Sequence, residues 1–139
     1  MSSNADAIEV RDLVRAPLLT IRQPWAGLIA SGTRPIEIRS RAIRYRGPMW
    51  VHSAIGPAHP DKVPAGGPQH VRGAVLGLVH VVDCVPAADY PDPQWSEPHG
   101  FAWVLERARL IEPVPARGRL AFWYADLTLA AQLADALTA

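Results

Sequence analysis

Arg34, Glu37 and Arg39 are the residues of this sequence whose types and spacing best suit chemistry. Glu37 and Arg39 stand two positions apart, so an extended backbone sends both side chains to one face. Glu37 can then accept hydrogen bonds from Arg34, from Arg39 or from both. An acid held in that way orients the outward N–H groups of its arginines toward an anion or a base edge. The same pair on an open surface would be an ordinary ion pair of little worth. The setting favours a site: from Arg15 to Arg46 there are seven arginines and one acid, Glu37. Positive neighbours favour the charged form of a carboxyl, so the expectation is an ionised Glu37 that organises arginines and performs no proton transfer.

Several other side chains qualify as candidates. Gln23 precedes a helix start, where backbone N–H groups are available to anions. Trp25 shares a helix face with Leu28 and Ile29, which suits a core position as well as a stacking platform. His52, beside Trp50, fits either a buried structural histidine or a donor in a pocket. His59, His70, His80 and His99 lack metal-ligand spacing, so no metal site is expected. Asp83 and Cys84 read as a strand end, with nothing nearby in sequence to lower the thiol pKa.

These candidates must be positioned by short elements. Residues 1–17 read as an N-terminal arm with a helical turn from Asn4 to Val14, and 18–139 as the domain. Leu18 to Arg22 is extended, and Pro24 to Ser31 is a helix that Gly32 can end. Pro35 to Arg39 alternates as a half-buried strand with Glu37 and Arg39 on its charged face. Tyr45-Arg46-Gly47-Pro48 marks a turn before a strand at Met49 to Ser53. Gly56 to Gln69 and Pro86 to Gly100 are long loops around the most apolar strand, Gly73 to Val85, where Gly73 and Gly77 suggest bulges. Further strands are expected at Phe101–Glu106, Arg109–Val114 and Gly118–Tyr124, the last with Leu120, Phe122 and Tyr124 on one side. Asp126 can cap a final helix with Leu129, Leu133 and Leu137 as its apolar stripe. Five to six short strands with flanking helices predict an α+β fold built on a small, mostly antiparallel β-barrel.

The block from Leu19 to Ser40 resembles the ASCH family of the PUA-like superfamily, whose signature reads G-x-K-x-x-E-x-R. Here its positions are Gly32, Arg34, Glu37 and Arg39. Gln23-Pro24-Trp25, Tyr45-Arg46-Gly47-Pro48 with His52, the Gly73–Val85 strand, the Trp103 strand and Pro115-Ala116-Arg117-Gly118 follow the same pattern in order. The resemblance implies a PUA-like barrel and a cleft that binds RNA, other single-stranded nucleic acid or a nucleotide-like small molecule. It implies Gln23, Trp25, Arg34, Glu37, Arg39, Ser40, Tyr45 and Arg46 as binding residues. Similar proteins include amidohydrolases that deacetylate cytidine, with lysine and threonine where this chain has Arg34 and Glu37, and ribonuclease activity has been attributed to the family. Arginine is no proton acceptor near neutral pH, so hydrolysis of a modified nucleoside or RNA, with Glu37 or His52 as catalytic candidates, ranks below binding.

Composition bounds the rest. A chain of 139 residues, 49% apolar and 19% charged, suits one globular domain. Net charge is +1, so the clustering of arginine, and not its total, points to a polyanion. A GC-rich coding sequence would account for arginine over lysine, since Lys62 is the only lysine, but not for where the arginines lie. One cysteine excludes an internal disulfide and suits a reducing cytoplasm. No signal peptide, membrane span or cofactor motif is evident.

Overall fold

The computed structural model describes residues 9–57 and 67–139. In chain order the elements are α1 (Val10–Leu13), β1 (Leu18–Ile21), α2 (Trp25–Ala30), β2 (Ile36–Arg39), β3 (Gly47–Ser53), β4 (Ala74–Pro86), β5 (Phe101–Pro115), β6 (Phe122–Trp123) and α3 (Leu127–Thr138). Single helical turns occur at Pro68–His70 and Ala87–Asp89. The expected helical turn begins at Asn4, outside the described residues, as do His59, Lys62 and the middle of the Gly56–Gln69 loop.

The strands form one six-stranded sheet in the order β2-β5-β4-β3-β1-β6. Among the described residues only the β1/β3 pair is parallel. β4 and β5 run antiparallel from Ala74↔Pro115 to Pro86↔Phe101, with register shifts at Val75/Gly77, Leu78/His80 and Val81/Asp83. Each shift adds local twist and bend, which lets two long strands coil into a curved wall. Gly77 meets the expectation of sharp curvature: a Cβ there would lie 2.5 Å from the Arg109 carbonyl oxygen.

Curvature brings the two ends of the sheet together. Arg39 on β2 donates to the Thr20 carbonyl of β1 at 3.1 Å, and the Trp103 ring of β5 meets Phe122 of β6 edge-on at 6.0 Å. The result is the small barrel-like α+β fold that the alternation predicts. Because strand side chains alternate, two apolar clusters form. The inner one holds Leu19, Ile21, Met49, Val51, Leu76 and Trp103, with Ala26, Ile29 and Ala30 of α2 laid against it. The outer one joins Leu18, Trp50, Val75 and Trp123 to Leu129, Leu133 and Leu137 of α3. Asp126 caps α3 by accepting from the Leu129 N–H at 2.8 Å.

Two expectations need correction. Arg109–Val114 is the continuation of β5 and no separate strand, because the chain absorbs the irregularity at Arg107 (φ 56°) without leaving the sheet. Gly118–Tyr124 contributes only Phe122–Trp123, which pack on opposite sides, Phe122 against the inner cluster and Trp123 in the outer one, while Leu120 and Tyr124 are 94% and 62% exposed. The left-handed turn at Ala121 (φ 55°) sets that register. The described part of the N-terminal arm lies on the outer cluster, where Leu13 accepts a hydrogen bond from Trp50 Nε1 at 2.8 Å. Among the described residues no helix is long and apolar enough to cross a membrane.

Candidate functional site

Gly32, at φ 82°, ends α2 and reverses the chain into β2. Among the described residues β2 pairs only with β5, placing Glu37 opposite Trp103 and Arg39 opposite Phe101, so these two motif residues lie on an edge strand. Glu37 is buried, and its Oε2 accepts from Arg39 Nε at 2.9 Å. The same guanidinium reaches the Thr20 carbonyl and lies over the Trp103 ring, 5.9 Å from its centre. Arg39 is therefore held from three directions.

Arg34 is held differently. Its Nε donates to the Ile36 carbonyl at 3.1 Å, and its guanidinium lies 5.8 Å from the Trp25 ring centre and 5.6 Å from that of Trp95. Glu37 thus takes its hydrogen bond from Arg39, while Arg34 acts on it through charge. Burial lowers the Arg34 pKa, with Glu37 and Glu97 opposing.

The expected downward pull on Glu37 is present but is outweighed. Burial pushes the carboxyl up from its ordinary value, against the charges of Arg39 and Arg34 and hydrogen bonds from Arg39 and the Ile38 backbone. The physical reason is depth: the motif strand turns its charged face inward, where removal from water penalises the anion more than the arginines stabilise it. These residues border a cleft of about 470 Å³, to which Arg22, Trp25 and Glu97 also contribute.

The remaining candidates lie elsewhere. Gln23 is a correction: its side chain is wholly buried, donating to the Pro68 and Val71 carbonyls at 2.7 and 2.6 Å and accepting from the Gly27 N–H at 2.9 Å. It braces the start of α2 and has no donor directed at the cleft. The Tyr45 hydroxyl donates to the Pro48 carbonyl at 2.7 Å, and its ring meets Phe122 at 5.6 Å. Arg46 bonds the Ile43 and Tyr45 carbonyls and lies 3.8 Å from Asp83. Both hold the turn before β3. Ser40 lines a second cavity of about 470 Å³ with Arg39, Arg41, Ile43, Trp103 and Phe122.

His52 does not meet Glu37. Its Nε2 lies 2.7 Å from the Ala116 carbonyl; a carbonyl only accepts, so Nε2 carries the proton. Nδ1 then accepts from Thr20 Oγ1 at 3.1 Å, and Thr20 Oγ1 in turn accepts from Trp123 Nε1 at 3.1 Å. Burial lowers the His52 pKa, with the bond to Ala116 opposing. This network ties β1, β3 and β6 together beside a different cavity, of about 920 Å³. The two catalytic candidates therefore do not form an acid–base pair.

Sequence reasoning missed two residues of the Pro86–Gly100 loop, Glu97, which lines the cleft, and Trp95, which packs on Arg34, together with Thr20, whose carbonyl anchors Arg39. A tryptophan in an otherwise polar, proline-rich loop was the available signal for Trp95.

Comparison with known proteins places this geometry in a family. The chain matches the ASCH domain over residues 19–115. It is 23% identical over 130 residues to activating signal cointegrator 1 of Homo sapiens and to that of Mus musculus, covering 78% of this chain but 22% of those proteins. Among solved structures, ASCH from Zymomonas mobilis has the same fold, with TM-score 0.54 and 14% identity over 88% of this chain and 95% of that one. A point variant of that protein gives TM-score 0.55 and 13% identity, over 87% and 97%. With Glu37 and Arg39 of the signature on β2 and Gly32 and Arg34 just before it, the chain belongs to the ASCH domain family.

Proposed function

We propose that this chain binds RNA or another single-stranded nucleic acid in the cleft bordered by Trp25, Arg34, Glu37 and Arg39. The observation that carries this reading is Arg39, fixed at once by Glu37 and by the Thr20 carbonyl at the cleft wall. A guanidinium carries more N–H donors than those two bonds use, and holding it in place before binding reduces the ordering cost of recognition. The neighbouring Trp25 adds an aromatic of the kind on which unpaired bases stack, and Arg34, packed against the Trp25 and Trp95 rings, adds positive charge to the cleft wall. Family membership supports the same reading, and a cytoplasmic setting fits a chain with Cys84 as its only cysteine.

A small hydrolase is the second reading, favoured by one observation: a carboxyl of raised pKa in a cleft is a recognised mark of acid–base sites. Titration with radiolabelled single-stranded RNA, scored for both retention and cleavage, separates the two. The binding reading expects retention of intact RNA, and retention that survives in Glu37→Gln. Rapid cleavage, or turnover of acetylated cytidine that Glu37→Gln abolishes, overturns it in favour of the hydrolase.

A further inference from the structure

We infer that the motif cleft and the neighbouring seam between β2 and β6 are two consecutive nucleotide positions of one site, with the connecting phosphodiester crossing Arg39. This rests on the nucleic-acid reading above and names its ligand: a single strand of at least two nucleotides.

Arg39 borders both cavities, and each is about 470 Å³. That volume lies within the range of about 300–1,000 Å³ typical of small-molecule sites. The two differ in character. The first is the more polar, with Glu37, Arg34 and Glu97 on its walls beside Trp25 and Ile38. The second is walled by Trp103, Phe122, Ile43 and the stem of Arg39. Its aromatic rings are fixed: Trp103 Nε1 donates to the Arg41 carbonyl at 3.0 Å, and Phe122 is wedged edge-on between Trp103 and Tyr45. Trp103 is almost wholly buried beneath Arg39 and backs the seam, so the half-buried Phe122 ring beside the anchored guanidinium supplies its stacking surface for a nucleoside. A group that joins the two cavities passes Arg39, and a phosphodiester is the link between consecutive nucleosides that a guanidinium recognises. Arg41, exposed and lining the seam, adds a second cation to that cavity. A base in each cavity cannot be paired, so the strand is single.

The test compares ribonucleoside 5′-monophosphates with the corresponding ribodinucleotides lacking a terminal phosphate, by calorimetric titration of the intact protein. The dinucleotide carries less negative charge, so charge alone favours the monophosphate. Occupation of the seam predicts the reverse, a dinucleotide affinity higher by about tenfold or more. Phe122→Leu removes the ring face, and Ala42→Ile adds bulk at an exposed residue lining the seam. Both are expected to abolish the dinucleotide gain and leave monophosphate affinity unchanged. Ala42→Ile does not touch the buried clusters, so it keeps the test decisive if Phe122→Leu folds poorly. Dinucleotides binding no tighter than monophosphates, or a gain that persists in Ala42→Ile, would overturn the two-position site while leaving nucleic-acid binding at the cleft intact. Failure of mononucleotides, dinucleotides and longer RNA alike would overturn both.

Discussion

Arg39 and Thr20 lie near opposite ends of the sheet order, yet the guanidinium of one donates to the carbonyl of the other at 3.1 Å. No ladder of backbone hydrogen bonds joins β2 to β1. A side chain of the family signature therefore spans the seam where the curled sheet fails to close.

Arg39→Ala should weaken both folding and binding. It leaves the buried Glu37 without its hydrogen-bonded partner, at a cost of about 1–3 kcal/mol, toward the lower end because Arg39 itself is partly exposed and screened. Single-stranded RNA affinity should fall alike across sequences, and the slope of log K against log salt should flatten by about 0.7, as loss of a phosphate contact requires. Urea unfolding and filter binding measure the two losses separately. Unaltered unfolding would show that the seam does not depend on this side chain.

Glu37 should leave a signature in the pH dependence of stability. Its folded pKa is raised above its ordinary value of 4.5, so between the two values the folded state holds more protons than the unfolded. Stability from this group is greatest below 4.5 and declines as pH rises through the folded pKa. The stability of wild type relative to Glu37→Gln should accordingly fall across that interval and level off above it. A difference that rises with pH would show that Arg39 and Arg34 outweigh burial.

His52 predicts the opposite slope. Burial holds its folded pKa below the ordinary 6.5, so as pH falls past 6.5 the unfolded chain takes up the proton first and stability declines. Thr20→Val removes the hydroxyl that serves both His52 Nδ1 and Trp123 Nε1, and should cost about 1–3 kcal/mol. Chemical denaturation of wild type and Thr20→Val at successive pH values tests both statements.

Salt dependence should report the phosphate contacts. Each phosphate neutralised on a single strand adds about −0.7 to the slope of log K against log salt. Arg22 is exposed and borders the cleft, so Arg22→Ala should flatten the slope by about that amount while leaving base preference unchanged. Binding insensitive to salt would argue against a phosphate-contacting face.

The parts of the fold set by local alternation and turn chemistry were legible in the sequence. Gly32, Gly77 and the Asp126 cap stand where backbone geometry demands them, and the stripe Leu129, Leu133, Leu137 is buried as its spacing requires. The motif pair was legible too, since Glu37 and Arg39 share a face by strand periodicity. What lay beyond local reading was set by the curl. Trp95 reaches Arg34 from a loop more than fifty positions away, as the sequence numbers show. Gln23 is drawn inward by carbonyls of Pro68 and Val71, and Glu37 is titrated by a depth that no spacing reveals. Charge clustering also overstated the cleft: Arg46 belongs to a turn, and Arg41 and Ser40 to the seam beyond Arg39.

β1 is the first strand of the sheet to be synthesised and β6 the last, yet they are neighbours. The Trp123 indole that reaches Thr20 does so across 103 positions of chain. Bringing such distant segments together costs loop entropy before their contacts can offset it. Until β6 arrives, β1 is paired on one edge only, and Thr20, whose carbonyl positions Arg39, has no indole to hold its hydroxyl. The seam cavity, walled in part by Ala121 and Phe122, is thus completed only at the end of the chain, long after the signature residues have been synthesised.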